Sequence, residues 1–504
     1  MDSYHPSAHQ EPGNKPQGNA SKWHGLFLLL SLLLLLPSYT FWLNPRFDVI
    51  SNEFDFFIGQ LPEFFGNRPN LGLMAGKMFF ALCYLGVAMT YWKWAKAIVA
   101  EDFSWGRLAL MVLVPSLLYT GGIPWISPDV FYYLRGGWIE TGYGLAPFQH
   151  AAATIPGYSN DPMFNNTYPA FLSNVGNYGP LFQKFCAAVT ALSGGEIKTA
   201  LILFKVGCLV AHIGCTLMIV LLARKCGVSA KRAFFVYGCN PVILLVFLMC
   251  SHNDEMMMLP LLASALALLY GRPGWSGLLL ACGFALKFVP LLILPVFGLF
   301  IVKNRRPARG FALFGMAFVA GSFLLYAMYP GSWEVFRKLA SEGLPLYRTS
   351  SFTFFYGIFY LLGMNLQSFK WMVLGIFLVG SMLILGKPLV RQENLKPDEF
   401  LVLIMKIFLL YLLSYSTVVT EWYLAWIIPF VFFLPRVAGD RFLWLMTLPF
   451  TALVIFSVKT FNVLESLSQT LQYLVLLSAG ILIFYPKICS SRLILKHFTP
   501  RSEP

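Results

Sequence analysis

The chain has 504 residues, of which 57% are hydrophobic, 16% aromatic and only 12% charged. A water-soluble protein of this size carries about 25% charged residues to cover its surface, so a soluble enzyme or binding domain is excluded. The formal net charge of +14 suggests a nucleic-acid partner, yet the basic residues fall in short clusters between apolar runs. Lys93/Lys96, Arg224/Lys225/Lys231/Arg232, Lys303/Arg305/Arg306/Arg309, Lys387/Arg391/Lys396 and Arg436/Arg441 are such clusters. Cytoplasmic loops of membrane proteins collect Lys and Arg in this way, and no nucleic acid is expected. Nine cysteines without a CxxC spacing, most of them in apolar segments, read as small buried hydrophobes rather than a disulfide framework or a zinc site.

In chain order, residues 1–24 are rich in Pro, Asn, Gln and Gly and are expected to form a disordered cytoplasmic tail. The apolar run at 25–43 has no small-residue cleavage site and is followed by many more spans, so it reads as a retained first helix. The region 25–487 then reads as one transmembrane domain. Helices are expected to begin near Gly25, Leu71, Leu108, Ala200, Phe234, Glu255, Ser276, Val289, Gly310, Ser368, Phe400, Glu421, Phe442 and Ser466. The expected fold class is an all-α polytopic membrane protein with about 13–14 transmembrane helices. Threading the basic clusters to one side leaves both termini in the cytoplasm, including a basic tail at 488–504. The opposite side receives residues 44–70, the long loop 125–198, the turn at 252–255, residues 330–364, the turn at 420–421 and residues 457–465. Two runs, 181–192 and 352–363, are too short to cross a core of about 30 Å. They are expected to be interfacial or re-entrant helices on the outward side.

Four constellations carry chemistry. The first is in the outward loop, where Asp129 sits at the membrane edge with Tyr132, Tyr133 and Arg135 within two helical turns. A carboxylate there suits a general base acting on a hydroxyl; it equally suits a cap for the helix that follows. The second is the turn Ser251-His252-Asn253-Asp254-Glu255, where the helix dipole favours ionised Asp254 and Glu255. A divalent metal held by His252, Asp254 and Glu255 is disfavoured, because adjacent residues rarely converge on one ion, and no cofactor is expected. The third is Lys287, at the break between two short apolar runs, which either meets an anion or snorkels to water. The fourth is the Trp422-Tyr423 turn, whose residue types also belong to interfacial belts. Lys205, just inside a span, reads as snorkelling outward or as functional. Arg337, Lys338, Tyr347 and Arg348 are further candidates for anion or sugar contact.

Taken in order, these segments resemble the GT-C superfamily of membrane glycosyltransferases. The resemblance is closest to bacterial polyprenyl-phosphate-mannose-dependent mannosyltransferases, and extends more distantly to the catalytic subunit of GPI mannosyltransferase I. It rests on Asp129, Tyr133, Gly137, Gly142 and Pro147-Phe148, and on Tyr178-Gly179-Pro180-Leu181. Asn240-Pro241, His252-Asn253-Asp254, Lys287 with Pro290-Leu291-Leu292, and Trp422, Tyr423, Trp426 and Pro429 complete it. Several relatives pair two acids in the first loop, whereas here Pro128 precedes a lone Asp129.

The resemblance implies a GT-C-type bundle and an inverting transfer of a hexose, mannose above all, from a polyprenyl-phosphate-sugar. The acceptor would be an extracytoplasmic glycan or glycolipid, and the setting a bacterial cytoplasmic membrane. Asp129 would be the base. Asp254 or Glu255 would be the alternative base or would position sugar or acceptor. Lys287, Arg135 and His252 would bind the lipid phosphate, and Tyr132, Tyr133, Tyr178, Trp422 and Tyr423 the substrate. A transporter or flippase of lipid-linked sugars, or a non-catalytic subunit of a glycosylation complex, are the alternatives from other classes.

Overall fold

The computed structural model describes residues 19–36, 69–100, 103–124, 127–167, 169–304, 307–329, 331–336, 356, 358–416, 419–450 and 462–484. Among these residues the regular structure is helical, with no strand. The longer helices are α1 (Asn19–Leu34), α2 (Pro69–Ala100), α3 (Trp105–Thr120), α4 (Asp129–Tyr143), α5 (Pro180–Leu192), α6 (Ile197–Lys225), α7 (Ala230–Gly238) and α8 (Asp254–Leu269). They continue with α9 (Pro273–Leu286), α10 (Leu294–Lys303), α11 (Pro307–Ala327), α12 (Leu366–Val390), α13 (Pro397–Ser414), α14 (Arg436–Leu445) and α15 (Asn462–Phe484). The protein is an all-α polytopic membrane protein.

Each expected helix start has a helical counterpart within six residues. The small offsets have a physical cause: apolar runs mark where burial begins, whereas a helix begins at its cap. Ser104 caps α3, Glu196 accepts from the Lys198 and Thr199 amides to cap α6, and Asn365 caps α12. Helix α1 begins at Asn19, inside the segment expected to be a disordered tail. Two expected spans differ in pitch. Helix α7 passes through Pro241–Ile243 into a π-helix at Leu244–Met249, and residues 421–433 wind as two 3-10 stretches. Hydropathy reports length and not winding. The expectations for residues 1–18, 37–68, 337–355 and 485–504 lie outside the described residues.

Among the described residues, four helical segments are long and apolar enough to cross a membrane: Ile197–Lys225, Ala230–Met249, Ala308–Ala327 and Leu366–Val390. The second is 89% buried inside the protein, whereas the last two are only 22% and 17% buried. Ala230–Met249 is therefore the axis of the bundle, and α11 and α12 are its outer staves. They expose Met316, Val319 and Phe323, and Ile376, Val379 and Met382, side chains that a bilayer covers without cost.

Two close contacts position the loop that follows α3 and its neighbours. A Cβ on Gly137 would lie 2.4 Å from the Cys186 carbonyl oxygen, so only glycine lets α4 lie directly on the short helix α5. Lys205 does not snorkel. Its ammonium is buried and donates to the Leu248 and Met249 carbonyls at 2.8 and 2.6 Å. The end of the π-helix leaves carbonyls without partners in an apolar setting, and a lysine from α6 satisfies them. The chain then turns at Ser251, a non-glycine residue at φ 61°, and delivers His252.

Candidate active site

Asp129 is the first residue of α4, and Pro128 occupies the cap position without a side-chain cap bond. The capping role is therefore not the one Asp129 performs. Its carboxylate lies 3.8 Å from His252 Nδ1 and is 22% exposed. Burial pushes its pKa up from 3.8 to about 6, against the pull of the Ser127 hydroxyl and the Lys287 ammonium, and Asp254 adds a like charge.

His252 is held by its neighbours on both sides. Its ring stacks on Trp422 with centroids 4.0 Å apart and planes 17° apart. Its Nδ1 lies 3.5 Å from the Tyr133 hydroxyl, which is itself 3.4 Å from the Tyr178 hydroxyl. Burial, reinforced by Lys287, holds the imidazole pKa well below its ordinary value, so the ring is neutral at pH 7.

Lys287 completes the centre. Helix α9 ends at Leu286, and Lys287 leaves it in extended conformation (φ −156°, ψ 145°), with Pro290 in the 3-10 turn that follows. Gly179 makes this end approachable. Its N–H donates to the Leu286 carbonyl at 3.2 Å, and a Cβ there would sit 2.1 Å from the Ala285 carbonyl oxygen. Glycine before Pro180 thus docks Tyr178 against the helix break. Lys287 Nζ lies 5.7, 5.4 and 5.5 Å from the ring centres of Tyr178, Tyr423 and Trp426, within cation–π range. It donates to Asp254 Oδ1 at 2.7 Å, and Trp426 Nε1 donates to the same oxygen at 2.7 Å. Snorkelling is therefore not what this lysine does.

The structure gathers Asp129, Tyr133, Tyr178, His252, Asp254, Lys287, Trp422 and Tyr423. Three expected residues are turned elsewhere. Glu255 accepts from Tyr237 at 2.6 Å and faces His212 Nδ1 at 3.0 Å, in a network buried between α6, α7 and α8. Consecutive helical residues point about 100° apart, so Asp254 and Glu255 serve different sides. For the same reason His252, Asp254 and Glu255 do not form one metal cage; among the described residues no three His, Cys, Asp or Glu side chains converge on one ion. Arg135 lies over the Tyr132 ring at 4.4 Å and donates to the Phe171 carbonyl, tying α4 to the loop instead of facing Lys287. Tyr132 donates to the Val175 carbonyl at 2.9 Å and to Asn177 Oδ1 at 3.1 Å, a second tie to the same loop.

Trp426, as the donor to Asp254, and Ser127, beside Asp129, are site residues that sequence reasoning left unassigned. Glu421 is buried and within electrostatic reach of Asp129. An acid opening an apolar run was the signal for it.

Residues 59–303 match the family described as Alpha-(1->6)-mannopyranosyltransferase, N-terminal domain. The match includes Asp129, Tyr178, His252, Asp254 and Lys287 and ends before Trp422. The chain is 32% identical over 139 residues to a probable alpha-(1->6)-mannopyranosyltransferase of Mycolicibacterium smegmatis, covering 27% of this chain and 24% of that protein. It is 24% identical over 247 residues to alpha-(1->6)-mannopyranosyltransferase A of Mycobacterium tuberculosis, covering 49% and 46%. It is 25% identical over 198 residues to the protein of the same name from Corynebacterium glutamicum, covering 39% of each. These matches span between about a quarter and just under half of the relatives' lengths. No solved structure matches the chain. Through residues 59–303 the chain is similar to the bacterial alpha-(1->6)-mannopyranosyltransferases, in keeping with the GT-C resemblance of its motifs.

Proposed function

We propose that the protein is an inverting mannosyltransferase that moves mannose from a polyprenyl-phosphate donor to an extracytoplasmic glycan or glycolipid acceptor. The observation that carries this reading is the placement of Asp129. It is a carboxylate with its pKa raised to about 6, 3.8 Å from His252 and in the electrostatic field of the Lys287–Asp254 pair. A base whose pKa lies just below the working pH is ionised and still basic enough to take a proton in the transition state.

In this reading Asp129 removes the proton from the acceptor hydroxyl as its oxygen attacks the anomeric carbon. The bond from that carbon to the phosphate oxygen breaks, and the polyprenyl phosphate departs with the bonding electrons. Lys287 offsets the charge that develops on the departing phosphate. Asp254 and Trp426 keep the ammonium from swinging out, and the rings of Tyr178, Tyr423 and Trp426 wall it from water. Asp254, clamped through Oδ1, is a positioning acid and not the base.

The chain's geometry also supports an outward-facing site. Lys205, beside the His252 turn, and Lys225, in a basic cluster, are 20 residues apart on α6, roughly 30 Å of helix. That is about the thickness of a bilayer core, a length that supports placing the site and the basic ends on opposite faces.

The test is transfer of labelled mannose from polyprenyl-phosphate-mannose in membranes carrying wild type, Asp129→Asn or Lys287→Ala. Both variants are expected to lose transfer, and wild-type rates in both would sink the proposal. Activity in detergent separates a transferase from a flippase, which needs a sealed bilayer. Intact activity in Asp129→Asn together with loss on deleting the protein would mark a non-catalytic subunit.

A further inference from the structure

The turn that presents His252 carries more polar capacity than the catalytic reading uses. Asn253 stands at the N-cap of α8, where an asparagine side chain ordinarily accepts from the second or third amide of the helix. Here it makes no cap bond. The residue is 2% exposed, and neither its Oδ1 nor its Nδ2 has a hydrogen-bond partner in the protein. On one side of it His252 Nε2, and on the other Asp254 Oδ2, are likewise buried without a partner. Three consecutive Cα atoms, about 3.8 Å apart, thus bring four unmatched polar atoms to one tight turn, each costly to bury alone.

The chemistry of these atoms restricts what completes them. Nδ1 of the neutral His252 ring faces the Asp129 carboxylate at 3.8 Å, which favours the proton on Nδ1 and leaves Nε2 as a lone-pair acceptor. Asp254 Oδ2 and Asn253 Oδ1 are acceptors too, and Asn253 Nδ2 is the one donor. A phosphodiester has no proton to give and would be repelled by Asp254. A prenyl chain offers neither donor nor acceptor. A pyranose ring offers several O–H groups that both donate and accept, and Trp422, stacked on His252, adds an aromatic face beside the turn. The phosphate role expected for His252 does not suit a neutral acceptor ring.

We infer that the 252–254 turn is a pyranose-hydroxyl subsite in which Asn253, with His252 Nε2 and Asp254 Oδ2, reads the hydroxyl pattern of the hexose. The inference rests on the proposed mannosyl transfer and makes Asn253 a specificity-determining residue of it.

The experiment uses the full-length protein in detergent with polyprenyl-phosphate-mannose, its singly deoxygenated analogues, and a synthetic alkyl mannoside acceptor with its own deoxy series. Wild type and Asn253→Ala are compared by kcat/KM for each substrate. Asn253→Asp, which keeps an acceptor and loses the donor, is the second variant should the alanine form not accumulate. Ratios between substrates within one preparation cancel the amount of folded enzyme. The substitution is expected to lower kcat/KM for the parent sugar roughly tenfold or more while leaving one deoxy compound unaffected. That compound falls in the donor series if the subsite holds the transferred sugar and in the acceptor series if it holds the receiving one. An equal change across every compound, or none, overturns the subsite while leaving mannosyl transfer standing. Absence of transfer by the wild type overturns both.

Discussion

Replacing Asp129 by asparagine separates the cost of this residue from its use. Its carboxyl has a pKa near 6 in the folded protein against 3.8 for the free group, a difference of about 2.2 units or roughly 3 kcal/mol at 1.36 kcal/mol per unit. With the side chain still 22% exposed, this is an upper bound. The folded state binds more protons than the unfolded one between pH 3.8 and 6, so stability falls as pH rises through that window. The cost is absent below it and complete above it. Asparagine keeps the shape without the charge. Asp129→Asn is therefore expected to resist unfolding better than wild type at pH 7.5, by up to about 3 kcal/mol, and to match it near pH 4. Its transfer rate should fall by about 10²–10⁴-fold, and the wild-type kcat/KM should decline as pH drops through about 6. Thermal unfolding in detergent at both pH values, with a pH–rate profile from labelled donor, measures all three. A rate independent of pH between 5 and 7.5, or an asparagine variant less stable at neutral pH, would refute the reasoning.

Lys287→Ala strands a buried Asp254 charge and should cost about 3–5 kcal/mol of stability and about 10²–10³-fold in transfer. Adding Asp254→Asn should restore stability by thermal melt but not the rate. Gly179→Ala drives a Cβ to within 2.1 Å of the Ala285 carbonyl oxygen and should destabilise by about 1–3 kcal/mol and reduce transfer. Gly315→Ala, with nothing within 4 Å of its Cβ, is the benign control in the same melt. Lys205→Met leaves the Leu248 and Met249 carbonyls without their donor and should cost about 1–3 kcal/mol for each group left unpaired. A melt unchanged from wild type would show that other donors reach them.

Much was legible in one dimension. Apolar runs long enough for a bilayer located the helices, since backbone groups in lipid must pair within the segment. Basic clusters between the runs suggested a direction for the chain. Asp129, the His252 turn, Lys287 and the Trp422-Tyr423 turn stood out as polar or ionisable groups at membrane edges, where such groups are expensive. Sequence alone thus determined an all-α membrane protein and named most of the side chains that meet at one centre.

What only tertiary structure decided is where each side chain points. Asp254 and Glu255 are adjacent and chemically alike, yet one holds Lys287 and the other holds His212 and Tyr237, because a helix rotates about 100° between them. Lys205 and Arg135 looked like candidate functional cations, but packing sends both to backbone carbonyls, those of Leu248 and Met249 for the one and that of Phe171 for the other. Trp426 had no role beyond the motif it shares with Trp422 and Tyr423 until the fold brought its N–H to Asp254. Hydropathy reports how much of a segment leaves water. Direction depends on which neighbours arrive from elsewhere in the chain, and for Lys287 and Asp254 those neighbours are 33 positions apart, for Trp426 and Asp254 172.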